Sequence, residues 1–123
     1  MTQVYYTREQ LILAVLEELK VVPHGQAPNA DEWDLIDEHI DPGLAEMSAR
    51  KIVYVADPSE IPIEIFSSLA AAMARFCSNQ FSIPVEEADK MFYPENSPFS
   101  PESKLRAMRR STGTYPPQRP DYF

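Results

Sequence analysis

The sequence predicts an all-α fold: a small bundle of about four helices with one short β-strand and an extended, proline-rich C-terminal tail. Three observations lead there. The longest apolar segment, Pro62 to Phe81, carries Ile65, Phe66, Leu69, Ala72, Met73, Phe76 and Cys77 at three- and four-residue steps, the spacing of one helix face. Thr7 with Gln10, and Asn29 with Glu32, have the spacing of capping boxes, each ahead of an apolar periodic run. Of the twelve prolines, those at 84, 94, 98, 101, 116, 117 and 120 fall in the last third, so the core should lie mostly before them. A chain of 123 residues makes one domain. We divide it into a helical bundle over residues 1–110 and an extended docking tail over 111–123.

The first helix should start after Thr7, with Tyr6 packing on Leu11 as a staple, and run to about Lys20. Its buried stripe is Leu11, Ile12, Val15, Leu16 and Leu19. The second should span about residues 30 to 49, with Trp33, Ile36, Ile40, Leu44 and Met47 in helical phase. Trp33 in that phase reads as a core anchor. Pro42 removes the bond to the Glu38 carbonyl and Gly43 lowers helix propensity, so a kink or a restart capped by Asp41 is expected. Lys51 to Val55 is β-branched and aromatic, the one convincing strand, and Ile52, Val53, Tyr54 and Val55 need a pairing partner in the tail or in another chain. Asp57-Pro58-Ser59 turns the chain into the central helix, whose first turn suits Pro62. A short helix from Pro84 to about Phe92 carries Val85, Ala88 and Met91. The irregular YPENSPFSP follows, then a last helix capped by Ser100, with Pro101 in its first turn and Leu105 and Met108 as apolar contacts.

Charge separates body from tail. Net charge is −8, but residues 1–100 hold 17 acidic and 6 basic side chains whereas 101–123 hold 2 acidic and 5 basic. An acidic body lacks the clustered cations that grip a phosphate backbone. The basic tail suits an acidic surface, its own or a neighbour's. Seven acidic and no basic residues lie between Asp31 and Glu46, which reads as a solvated acidic helix face lacking the loop spacing of a calcium site.

Chemistry-bearing motifs are sparse. His24 and His39 have no spaced partner set for a metal, and each reads as a solvated or capping side chain. The single cysteine, Cys77, sits on the apolar face as a structural thiol, which fits a reduced, intracellularly made protein. Three glycines at 25, 43 and 113 cannot form a phosphate loop. The expectation is a non-enzymatic protein without cofactor or metal. No signal peptide or membrane span is expected either, the longest uncharged run being Ile65 to Ala74. The tail STGTYPPQRPDYF has no periodicity; Tyr115, Tyr122 and Phe123 are aromatics without a core of their own, left either disordered or docked on a partner.

The succession of TREQLILAVLEELKVV, a small polar linker, NADEWDLIDEHI, AEMSARKIVYVADPSEIPIEIFSSLAAAMARFCSNQFSIP, a basic segment and TYPPQRPDYF resembles the head-tail connector proteins of tailed bacteriophages. It is particularly similar to the adaptor or head-completion group that stabilises packaged DNA and carries the tail accessories of short-tailed phages. Ile61-Pro62 and the helix to Phe81 match that family's best-marked tract, and Thr114 to Phe123 its portal-contacting extension. Pro42-Gly43 and the prolines at 94, 98 and 101 depart from it. The resemblance implies a virion protein at the head-tail junction, made in the host cytoplasm, that forms a homo-oligomeric ring of about twelve copies through heterologous contacts beneath the portal. It implies retention of packaged DNA and an attachment surface for tail or nozzle proteins, with DNA passing through unread. Portal or neighbouring-subunit contacts would fall on Tyr115, Pro116, Pro117, Arg119, Tyr122 and Phe123. An acidic lumen would draw on Asp31, Asp34, Asp37, Glu38 and Asp41. The alternative is a non-viral monomeric or dimeric helical interaction adaptor.

Overall fold

The computed structural model describes residues 5–21 and 26–112, the last four of these by backbone alone. Five α-helices form among them: α1 (Arg8–Glu18), α2 (Ala30–Ala49), α3 (Ile63–Cys77), α4 (Val85–Phe92) and α5 (Pro101–Thr112). A two-stranded antiparallel sheet joins β1 (Tyr5–Tyr6) to β2 (Ile61–Pro62), with Tyr5 opposite Pro62 and Tyr6 opposite Ile61.

The bundle is built around α3, against which α1, α2, α4 and α5 all pack. Its apolar face explains this: Ile65, Leu69, Ala72, Met73 and Cys77 are buried, with Leu69, Met73 and Cys77 wholly out of water. Each large side chain so removed contributes roughly 1.5–3 kcal/mol. Pro62 stands one residue before the helix rather than in its first turn, and the far end tightens into a 3-10 turn over Ser78–Phe81.

Both capping boxes form. Thr7 Oγ1 accepts from the Gln10 amide at 3.2 Å while Gln10 Oε1 accepts from the Thr7 amide at 2.8 Å. Asn29 and Glu32 repeat the exchange at 2.8 and 3.3 Å. The Tyr6 ring stacks on Phe66 of α3, centroids 4.0 Å apart, so it fastens the chain entry to the central helix.

Two expectations are corrected. First, of the kink or restart expected at Pro42, the restart does not occur: α2 is one helix through Pro42, with no new cap at Asp41. Pro42 is exposed, and the neighbouring Gly43 lies at the α2–α3 contact, where an added Cβ would come within 2.6 Å of Met73 Sδ. Packing against α3 there compensates for two poor helix formers in succession.

Second, Lys51–Val55 forms no strand, and the residues that pair instead are Tyr5–Tyr6 with Ile61–Pro62. The end of α2 takes up the run's beginning. Lys51 adopts φ 58°, its amide donates to the Ser48 carbonyl at 3.0 Å, and the Ile52 amide donates to the Met47 carbonyl at 2.8 Å. This is a Schellman termination, completed by the burial of both Met47 and Ile52. Val53 is buried too and Val55 half-buried, whereas Tyr54 is exposed.

Candidate functional site

The acidic face of α2 is partly used internally. Arg8, at the start of α1, donates through Nε to Asp37 Oδ1 at 2.8 Å, through Nη1 to Asp41 Oδ1 at 3.0 Å and through Nη2 to the Asp37 carbonyl at 2.9 Å. Burial of the guanidinium opposes its charge, but the hydrogen bonds and charges of Asp37 and Asp41 outweigh it and raise the pKa above the ordinary arginine value. Of the five lumen candidates, Asp37 and Asp41 therefore clamp α1 to α2. Asp31, Asp34 and Glu38 are exposed.

A second ion network holds the C-terminal half together. Arg75 projects from the last turn of α3, its side chain only 14% exposed. Its Nε donates to Glu102 Oε2 on α5 at 2.9 Å and its Nη1 to Asp89 Oδ1 on α4 at 3.0 Å. Its Nη2 reaches the carbonyls of Phe92, at 3.0 Å, and of Tyr93. Glu102 is buried, and its Oε1 has no hydrogen-bond partner among the described residues. It lines a cavity of about 200 Å³ with Glu46, Arg50 and Glu95. Arg50 pairs there with Glu95 and, at 3.6 Å, with Glu46. Charges of both signs meet around this cavity and pair with one another except at Glu102 Oε1.

Sequence reasoning missed Arg75, although a signal existed: it is the lone charged side chain between Ile65 and Phe81 of an otherwise apolar segment. Such a cation must find buried partners, and these came from α4 and α5, far along the chain.

The remaining candidates are placed as follows. The Cys77 thiol is wholly buried, which pushes its pKa up to about 12 and keeps it protonated. His39 Nδ1 lies 2.7 Å from the Leu35 carbonyl one turn back, and its ring meets Phe76 edge-on. Trp33 is half-buried against the core. Among the described residues no group of His, Cys, Asp and Glu is arranged to hold a metal, and no helix is long and apolar enough to cross a membrane. His24, Tyr115, Pro116, Pro117, Arg119, Tyr122 and Phe123 lie outside the described residues.

Comparison with known protein families, with curated proteins and with solved structures finds no match to this chain.

Proposed function

We propose that the chain is a non-catalytic structural component of a tailed-phage head-tail junction. It would assemble as a ring beneath the portal, help retain packaged DNA and offer the tail its attachment surface. The observation that carries this reading is the order of elements: an acidic α2, a central apolar α3 entered through Ile61-Pro62, and a basic α5 followed by TYPPQRPDYF. The sequence supports a separate role for that last segment: Tyr115, Tyr122 and Phe123 stand in a stretch with no apolar periodicity of its own. Aromatic and arginine side chains in such a position serve as anchors on a partner. Asp31, Asp34 and Glu38 present negative charge to solvent, which would repel DNA and let it slide through a ring.

The test is negative-stain imaging of the full chain mixed with a candidate portal ring, together with sedimentation of the chain alone. Added ring density under the portal is expected. A chain that stays monomeric or dimeric and leaves the portal bare would favour a cellular interaction adaptor.

A further inference from the structure

Glu102 is 3% exposed, and one of its carboxylate oxygens, Oε2, accepts from Arg75 Nε at 2.9 Å. The other, Oε1, is buried without a hydrogen-bond partner among the described residues. A charged oxygen buried in that state costs the fold stability, so it points to a donor from outside the chain. Glu102 forms part of the wall of the cavity of about 200 Å³, far above the roughly 10–15 Å³ that admits one water. Three other side chains of that wall make an accessible rim: Glu46 and Arg50 are exposed and Glu95 is half-buried.

Charge and shape narrow the donor. The carboxylates of Glu46, Glu95 and Glu102 face the guanidiniums of Arg50 and Arg75, which leaves one negative charge in excess. Just outside, Asp89 shares Arg75 and Arg106 donates to the Arg50 carbonyl, one charge of each sign. The balance therefore favours a ligand with a single positive charge. A metal ion does not fit, because among the described residues no set of His, Cys, Asp and Glu is arranged to hold one. An ammonium does, since it brings N–H donors of its own and bonds a carboxylate strongly. Met47, Ile52 and Phe76 add apolar wall, along which a short alkyl stem can lie.

We propose that this cavity binds a primary alkylammonium group, carried by a free amine or by a lysine side chain of a partner. The ammonium donates to Glu102 Oε1, with Glu46 and Glu95 supplying the surrounding negative charge, and the stem runs past Met47, Ile52 and Phe76 toward the rim. The assignment is independent of whether the chain joins a ring.

The test follows the amide signals of Ile52, Phe76 and Glu102 in the full chain during titration with two probes: n-butylammonium for the free amine, and Nα-acetyl-lysine methylamide for the lysine side chain. Both carry the ammonium head and should give saturable shifts, and the tighter binder identifies the source. Sodium and tetramethylammonium at equal ionic strength supply charge without N–H donors and should leave these signals in place. Equal shifts with all four, or none with either amine, would overturn the proposal, as would shifts confined to the exposed acids of α2. In Glu102→Gln the amide oxygen stays with Arg75 and the amide NH2 turns to the cavity, so affinity should fall about tenfold or more. Should that variant lose its cooperative melting transition, Glu46→Gln at the exposed rim decides: it should keep the parental melting temperature and bind more weakly. Parental affinity in the folded variant that decides would overturn the site.

Discussion

Arg75 joins the central helix to three carbonyl or carboxylate partners beyond residue 88 and to the buried Glu102, so its removal strands a carboxylate that water cannot reach. Breaking a buried pair by deleting one partner costs more than the pair itself contributes, because the remaining charge keeps its desolvation penalty. Arg75→Met should therefore destabilise the protein by about 3–5 kcal/mol. Adding Glu102→Leu to it should restore much of that loss, since a similar apolar volume then replaces the orphaned charge. Urea unfolding of the parent, the single and the double variant decides the matter. A single variant within about 1 kcal/mol of the parent would mean that the network is dispensable.

At the scale of elements, two helices end on lysines in the left-handed region. Lys20 has φ 62° after α1, where its amide bonds the Glu17 carbonyl and the Val21 amide bonds that of Leu16; Lys51 repeats the arrangement after α2. Glycine is the residue this position favours. Lys20→Gly and Lys51→Gly should each stabilise the fold by roughly 0.5–1 kcal/mol, the relief of left-handed strain exceeding the added chain entropy of the unfolded state. A lower melting temperature in both would count against the strain.

The same termination accounts for the strand that the sequence suggested over Lys51 to Val55 and that did not form. Helix starts were legible because a capping box is a local exchange between residues three apart, and Thr7–Gln10 and Asn29–Glu32 both formed it. Ile52 to Val55 looked like a strand by composition, but whether a β-branched run pairs depends on distant backbone. Here the end of α2 claimed Ile52, while Tyr5 and Tyr6 before α1 met Pro62 and Ile61. The break that Pro42 allowed did not occur for a related reason: α3 supports α2 across the weak spot through Gly43. Amide exchange can separate the two roles of the run. Ile52, bonded to Met47, should be protected in the free chain. Tyr54 is exposed and should exchange quickly there, slowing only if assembly supplies a strand partner. Fast exchange at Ile52 would contradict the helix termination described above.

For the whole molecule, the division of labour between bundle and tail makes the strongest demand. Every buried core residue among those described lies before Met108, and α5 continues to Thr112. If the core of the described residues carries the fold, removing residues 113–123 should leave all five helices intact. The truncated chain should therefore melt within a few degrees of the parent. Its association with a portal, if the segment carries the anchors Tyr115, Arg119, Tyr122 and Phe123, should be abolished, because a few aromatic and arginine side chains dominate such interfaces. Calorimetry and portal co-sedimentation on the same preparation separate the outcomes. Parental affinity after truncation would remove the segment from the interface and, with it, the main mechanistic support for the connector reading. Unfolding on truncation would make the segment part of the bundle. It would also show that the core between Leu11 and Leu105 does not suffice to hold the five helices together.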